Sequence, residues 1–207
     1  MANLEFIEWC DIWVTGANVT DRRRRVLLIG DSITRSYYGG VEKILGEGVL
    51  CARLTTSRCA SDPKLKKELA LLLKEFRFAV IHVNNGLHGW VYSEEDYAVG
   101  YSETLDFLIR HSYGANVILA STTPVWTKGQ PGALDPKTDR VRERNQVVRD
   151  LAAQHSFAVN DLFELVIGHP EYFADDGVHL NAQGQEVLSR AVADAILREK
   201  GERAGLG

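Results

Sequence analysis

Val26-Leu27-Leu28-Ile29-Gly30-Asp31-Ser32-Ile33-Thr34 is the stretch on which the fold turns. Four apolar residues stand in a row with no polar alternation. Such a run suits a strand buried on both faces of a parallel sheet. Gly30 ends the run, and a helix follows at once. Ser32 therefore sits on a strand-to-helix turn, at the carboxyl edge where sheets of this kind hold their ligands.

Working outward, four more short apolar runs follow: Val49–Leu54, Phe78–Val83, Asn116–Ala120 and Phe157–Val159. Amphipathic helical patterns lie between and after them, over Lys64–Phe76, Glu94–His111, Asp139–Gln154 and Ala182–Arg198. Ser61-Asp62-Pro63 opens the first of these with a capping residue and a first-turn proline. Ser93 caps the second, and Asp96 completes a weak capping box. Strand and helix alternate throughout, which predicts an α/β sandwich with five parallel strands and helices on both faces. No repeat or linker divides the chain, so residues 1–207 read as one domain. Residues 1–25 show no periodicity but carry Phe6, Trp9, Ile12 and Trp13, and are expected to pack on it.

The chain has 207 residues, 45% hydrophobic and 25% charged, a composition of ordinary globular proteins. A net charge of −4 argues against a nucleic-acid partner. The basic run Arg22–Arg25 reads as a solvated lead-in to the first buried strand. Cys10, Cys51 and Cys59 are too few, and odd in number, for a disulfide framework, and read as buried or half-buried thiols. Glu8 and Asp11 interrupt the apolar N-terminal residues, so no signal peptide is read there. No run reaches the roughly 20 apolar residues of a membrane span. The expected location is cytoplasmic, with no membrane partner.

Ser32 is a candidate nucleophile, although serine also caps helices. The other end of the chain supplies the partners such a nucleophile needs. Asp175-Asp176-Gly177-Val178-His179-Leu180-Asn181 precedes the last helix. Asp176 and His179 are three residues apart with Gly177 between them, so one tight loop supplies both base and orienting carboxylate. Asp175 is the rival carboxylate, and Asp176 is preferred. In the middle of the chain, His82-Val83-Asn84-Asn85-Gly86-Leu87-His88-Gly89-Trp90 leaves the third run. A side-chain amide here suits an oxyanion hole, together with the Ser32 N–H. Both Asn84 and Asn85 compete for the role. Strand alternation lets only one of them face the site. His88 and Trp90 are candidate pocket walls. Trp126, in Ser121-Thr122-Thr123-Pro124-Val125-Trp126, is either another or a packing residue. His82 and His88 have no acidic or cysteine partner at ligand spacing, so no metal is expected.

These pieces in this order resemble the SGNH (GDSL-like) hydrolase family. Val26–Thr34 is similar to its first block. Asp176-Gly177-Val178-His179-Leu180, followed by Gly184, is similar to its last. Thr123-Pro124 and Asn145 fall where members carry like residues. The resemblance implies a flavodoxin-like three-layer α/β/α sandwich and ester hydrolysis through an acyl-enzyme, without a cofactor. It makes Ser32 the nucleophile, His179 the general base and Asp176 its orienting partner, and, because the family's asparagine lies a little beyond the strand end, it favours Asn85 over Asn84 for the oxyanion hole. Two departures stand out. Thr55–Ala60 lacks the glycine of the second block, leaving a backbone N–H of Ser57 or Arg58 to serve. The third block reads Asn84-Asn85-Gly86-Leu87 in place of glycine, any residue, asparagine, aspartate.

The expected substrate is a small-molecule or carbohydrate ester with a short acyl chain, acetyl first. Trp90 and Trp126 are the expected sugar platforms. The alternatives are a lipase or thioesterase acting on longer chains and a non-catalytic flavodoxin-like binding module. A nucleotide-binding role lacks a glycine-rich phosphate loop.

Overall fold

The computed structural model describes residues 4–202. Its elements run β1 (Cys10–Val14), β2 (Arg24–Gly30), α1 (Ser32–Leu45), β3 (Val49–Thr56), α2 (Pro63–Glu75), β4 (Val80–Asn84), α3 (Glu94–His111), β5 (Asn116–Ala120), α4 (Lys137–His155), β6 (Ala158–Asn160), α5 (Leu162–Val166) and α6 (Ala182–Glu202). The sheet order is β1-β3-β2-β4-β5-β6. Strands β2 to β6 are parallel, in the order of a flavodoxin-like sheet.

The five apolar runs are the five parallel strands, but the sheet has a sixth. β1 pairs antiparallel with β3, from Cys10 opposite Thr56 to Val14 opposite Ala52. It escapes a periodicity reading because it is an edge strand with only intermediate or exposed positions. Its Cys10 is exposed, unlike the buried Cys51 and Cys59, which corrects the expectation of a covered thiol. The basic run is corrected too. Arg25 lies within β2 and is nearly buried, donating to the Thr15 and Gly16 carbonyls at 2.8 and 3.0 Å.

Two apolar cores flank the sheet. Val26, Leu28, Val80 and Ile118 pack against Tyr37, Val41, Leu188 and Val192 of α1 and α6. Leu27, Ile29, Ile81 and Val83 pack against α2, α3 and α4 through Leu69, Leu105 and Val148. Each fully buried aliphatic side chain contributes about 1.5–3 kcal/mol relative to exposure. α1 and α6 lie side by side, and Ser189 Oγ of α6 donates to the Tyr37 carbonyl of α1 at 3.0 Å. The contact is close enough that a Cβ on Gly40 would meet Ser189 Oγ at 2.2 Å. This pairing joins the helix begun by Ser32 to the helix that follows His179.

The helix starts match the sequence signals. Asp62 caps α2 with Pro63 in its first turn, and the Ser93–Asp96 capping box opens α3. On the α1–α6 face, the His82 imidazole is fully buried within 3.2 Å of Asn160 Nδ2. Burial pushes its pKa down to about 4.

Candidate active site

β2 ends at Gly30, where the chain has no room for a side chain. A Cβ would lie 2.0 Å from Thr34 Oγ1. Asp31 then caps α1, its Oδ1 accepting the Ile33 N–H at 2.9 Å, while Oδ2 is buried without a partner. Burial raises the Asp31 pKa, and the nearby imidazoles of His88 and His179 act against that rise. The cap leaves Ser32 as the first residue of α1, half-buried at the carboxyl edge of the sheet.

Ser32 Oγ is 2.9 Å from His179 Nε2, although the residues are 147 apart in sequence. His179 Nδ1 is 2.6 Å from Asp176 Oδ2. Asp176 Oδ1 accepts the backbone N–H groups of Val178 and His179, both at 2.9 Å. Desolvation would raise the Asp176 pKa, but these hydrogen bonds outweigh it and bring it down to about 2. The carboxylate therefore faces the imidazole as an anion. With a proton on Nδ1 toward Asp176, Nε2 presents its lone pair to the Ser32 hydroxyl.

The turn that brings Asp176 to His179 is fixed from several sides. The Ala174 N–H donates to the His179 carbonyl at 2.8 Å, and the Trp126 N–H to the Gly177 carbonyl at 2.8 Å. Gly177 has φ +73°, and a Cβ there would lie 2.2 Å from the Trp126 carbonyl oxygen. Asp175 takes a different part: its carbonyl accepts the Gly129 N–H at 3.2 Å. Asn181 braces the start of α6, donating to the Glu171 carbonyl at 2.6 Å and accepting from Gln183 and Gly184.

The two asparagines point to opposite layers. β4 extends through Asn84, so Asn84 shares a face with His82 toward α1 and α6. Its Nδ2 donates to the Ser121 carbonyl at 2.9 Å, leaving one amide hydrogen. Asn85 binds the loop after β3 at both ends of its amide. Oδ1 accepts the Ala60 N–H and Nδ2 donates to the Arg58 carbonyl, each at 3.0 Å. The substitutes for the second-block glycine are engaged as well. The Ser57 N–H donates to the Trp9 carbonyl at 3.1 Å and the Arg58 N–H to Thr56 Oγ1 at 3.2 Å.

His88 stands near the buried Asp31, its Nδ1 2.9 Å from Glu5 Oε2. Trp90 is partly exposed, with the Arg144 and Arg140 guanidinium carbons 4.5 and 5.3 Å from its ring centre. Trp126 is only 6% exposed, packs edge-on against Phe173 and lies behind the Asp176 turn. The sequence reading expected Trp9 to pack on the domain but gave neither it nor Glu5 and Glu8 a place beside the site, to which they reach across from the aperiodic N-terminal segment. It also missed the buried Arg144, which holds the His88 loop. Among the described residues, no group of three or more His, Cys, Asp or Glu side chains is arranged to hold a metal.

A family model described as the GDSL-like Lipase/Acylhydrolase family matches residues 28–187. A sequence search of curated proteins returns no match. Among solved structures, the chain is similar to a carbohydrate acetylesterase from Sinorhizobium meliloti, at 17% identity and TM-score 0.68, covering 85% of this chain and 99% of that one. It is similar to an acetylxylan esterase from Geobacillus stearothermophilus at 20% identity and TM-score 0.64, covering 86% and 94%. A GDSL-like lipase from Bacteroides thetaiotaomicron matches at 15% identity and TM-score 0.64, covering 86% and 89%. Those likenesses carry the fold, and the family match carries the kinship: the chain belongs to the GDSL-like lipase/acylhydrolase family of ester hydrolases.

Proposed function

We propose that the protein is a serine esterase that removes short acyl groups, acetyl first, from the hydroxyls of carbohydrates. The observation that carries this reading is the continuous relay from Ser32 Oγ through His179 to Asp176, at 2.9 and 2.6 Å. Ser32 Oγ attacks the ester carbonyl carbon while His179 Nε2 takes its proton. The tetrahedral intermediate collapses, the C–O bond to the alcohol breaks, and His179 returns the proton to the leaving oxygen. Water, deprotonated by the same imidazole, then attacks the acyl-Ser32 carbonyl; the bond to Oγ breaks, His179 returns the proton to Ser32 Oγ, and the carboxylic acid leaves.

The oxyanion donors in this reading are the Ser32 N–H, at the start of α1, and the remaining amide hydrogen of Asn84. Asn84 is on the face of β4 that carries the triad helices, whereas Asn85 braces a loop on the opposite side. The carbohydrate alcohol draws support from two structural neighbours, a carbohydrate acetylesterase and an acetylxylan esterase. Three unpaired thiols suit a reducing compartment, and we assign the enzyme to the cytoplasm. No described helix is long and apolar enough to cross a membrane.

Steady-state kinetics on 4-nitrophenyl esters of increasing chain length test the proposal. Wild type is expected to favour acetate, and Ser32→Ala to lose turnover while keeping its fold. Asp176→Asn is expected to be crippled, by as much as about 10⁴-fold in kcat as in other triads. Asp175→Asn is expected to stay near wild type. Near-normal turnover by folded Ser32→Ala ends the serine-esterase assignment, and a rate rising steadily toward long chains favours a lipase or thioesterase.

A further inference from the structure

Residues 5–9 lie outside the stretch matched by the family model, yet they are fastened to the loops around the nucleophile. Glu5 Oε2 meets His88 Nδ1 at 2.9 Å, and its Oε1 accepts the Gly89 N–H at 2.8 Å. Glu8 Oε2 accepts the Ser57 hydroxyl at 2.6 Å and pairs with Arg58 Nη1 at 3.0 Å. The Trp9 backbone closes the connection, donating to Ser57 Oγ at 3.0 Å and accepting from Thr56 Oγ1 at 3.0 Å. Two carboxylates and one backbone unit thus hold this strap against the β3–α2 and β4–α3 loops.

The strap delivers an indole. The Trp9 ring is half-buried, edge-on to His88 at 6.4 Å between ring centres. The Arg35 guanidinium lies over it at 5.0 Å. Arg35 is exposed and three residues beyond Ser32, one helical turn along α1. Trp9 therefore bridges the helix that carries the nucleophile and the loop that carries His88. Trp126 is packed behind the Asp176 turn, and three cations, Arg140, Arg144 and Lys137, crowd the Trp90 ring where one, Arg35, lies over Trp9.

We propose that Trp9 is a specificity-determining residue, a stacking platform for the sugar ring of the ester's alcohol, with Arg35 as the adjoining donor to sugar hydroxyls. This rests on the esterase reading and names the residue that selects the alcohol. A pyranose presents an apolar C–H face that matches an indole, and a polar rim that matches a guanidinium.

The test compares KM for acetylated xylooligosaccharides with KM for 4-nitrophenyl acetate, whose leaving group is not a sugar. Trp9→Ala is expected to raise the saccharide KM about five- to tenfold more than the aryl acetate KM, the worth of one stacking contact. Trp9→Phe is expected to recover most of that loss, and Trp13→Ala, on the outer edge strand, to change the ratio little. As a second measurement, acetylated xylotetraose is expected to quench tryptophan fluorescence of the Ser32→Ala protein, and to lose that effect when Trp9→Phe is added. Equal changes in the two KM values, or quenching unaffected by Trp9→Phe, overturn the inference while the esterase stands. Wild type that cleaves 4-nitrophenyl acetate but no acetylated saccharide overturns it as well. Wild type that cleaves neither ends the esterase reading and this inference together.

Discussion

Asn84 and Asn85 have the same chemistry and face opposite layers. Losing an oxyanion donor costs about 2.7–4 kcal/mol, or roughly 10²–10³ in kcat. With Asn84 on the triad face, Asn84→Ala is expected to lose kcat by that order with little change in KM. Asn85→Ala, which unties Ala60 and Arg58, is expected to act mainly on stability. Kinetics and urea melts on the two proteins separate these effects, and a kcat loss confined to Asn85→Ala reverses the assignment. The pair also marks where sequence reading reaches its limit. The meeting of Ser32, His179 and Asp176 was legible because the proposed roles of nucleophile, base and orienting carboxylate demand particular residue types. The asparagine register depends on whether the strand ends at Val83 or Asn84. That is decided by pairing with β5, where Asn84 lies opposite Ala120. One residue of strand length turns the side chain to the other face.

At the scale of elements, the β4–α3 loop depends on a helix that touches it from outside the sheet. Arg144 of α4 has no exposed side-chain surface. It donates to the Gly86 and His88 carbonyls at 2.8 and 2.7 Å, meets Glu94 at 3.1 Å and stacks against Trp90 and Tyr97. The helical pattern over Asp139–Gln154 was readable, but a charged residue in such a pattern reads as a solvated face, so this clamp was not. Arg144→Leu leaves Glu94 with one cation and the loop carbonyls without their donor. Removing one member of a buried pair typically costs about 3–5 kcal/mol. A loss of that order is expected in urea unfolding, and Arg144→Lys is not expected to restore it, because an ammonium cannot span the same fork of acceptors. An unfolding midpoint unchanged from wild type would falsify the clamp.

Over the whole molecule, the alternation of apolar runs and amphipathic helices disclosed the layers and the five parallel strands. The edge strand β1 stayed hidden, since pairing with one neighbour leaves no buried run to read. Stability as a function of pH is a property at this scale, and His82 contributes to one part of it. Its pKa is about 4 in the fold against 6.5 for a free imidazole. Between those values the unfolded chain binds a proton that the folded chain refuses, so stability rises with pH across the window. The contribution is fully present above about 6.5, and on the order of 3 kcal/mol is lost by about pH 4. Urea midpoints measured across that range are expected to follow this slope, and His82→Gln, which keeps an acceptor for Asn160, to flatten it. A slope unchanged in that variant assigns the acid sensitivity elsewhere. The pairing of α1 with α6 has a consequence in time as well as in space. Ribosomes make Ser32 before His179, and the imidazole reaches the hydroxyl only when α6 has been made and lies beside α1. Until then a nascent chain carries the Ser32 hydroxyl without the imidazole that stands 2.9 Å from it in the fold.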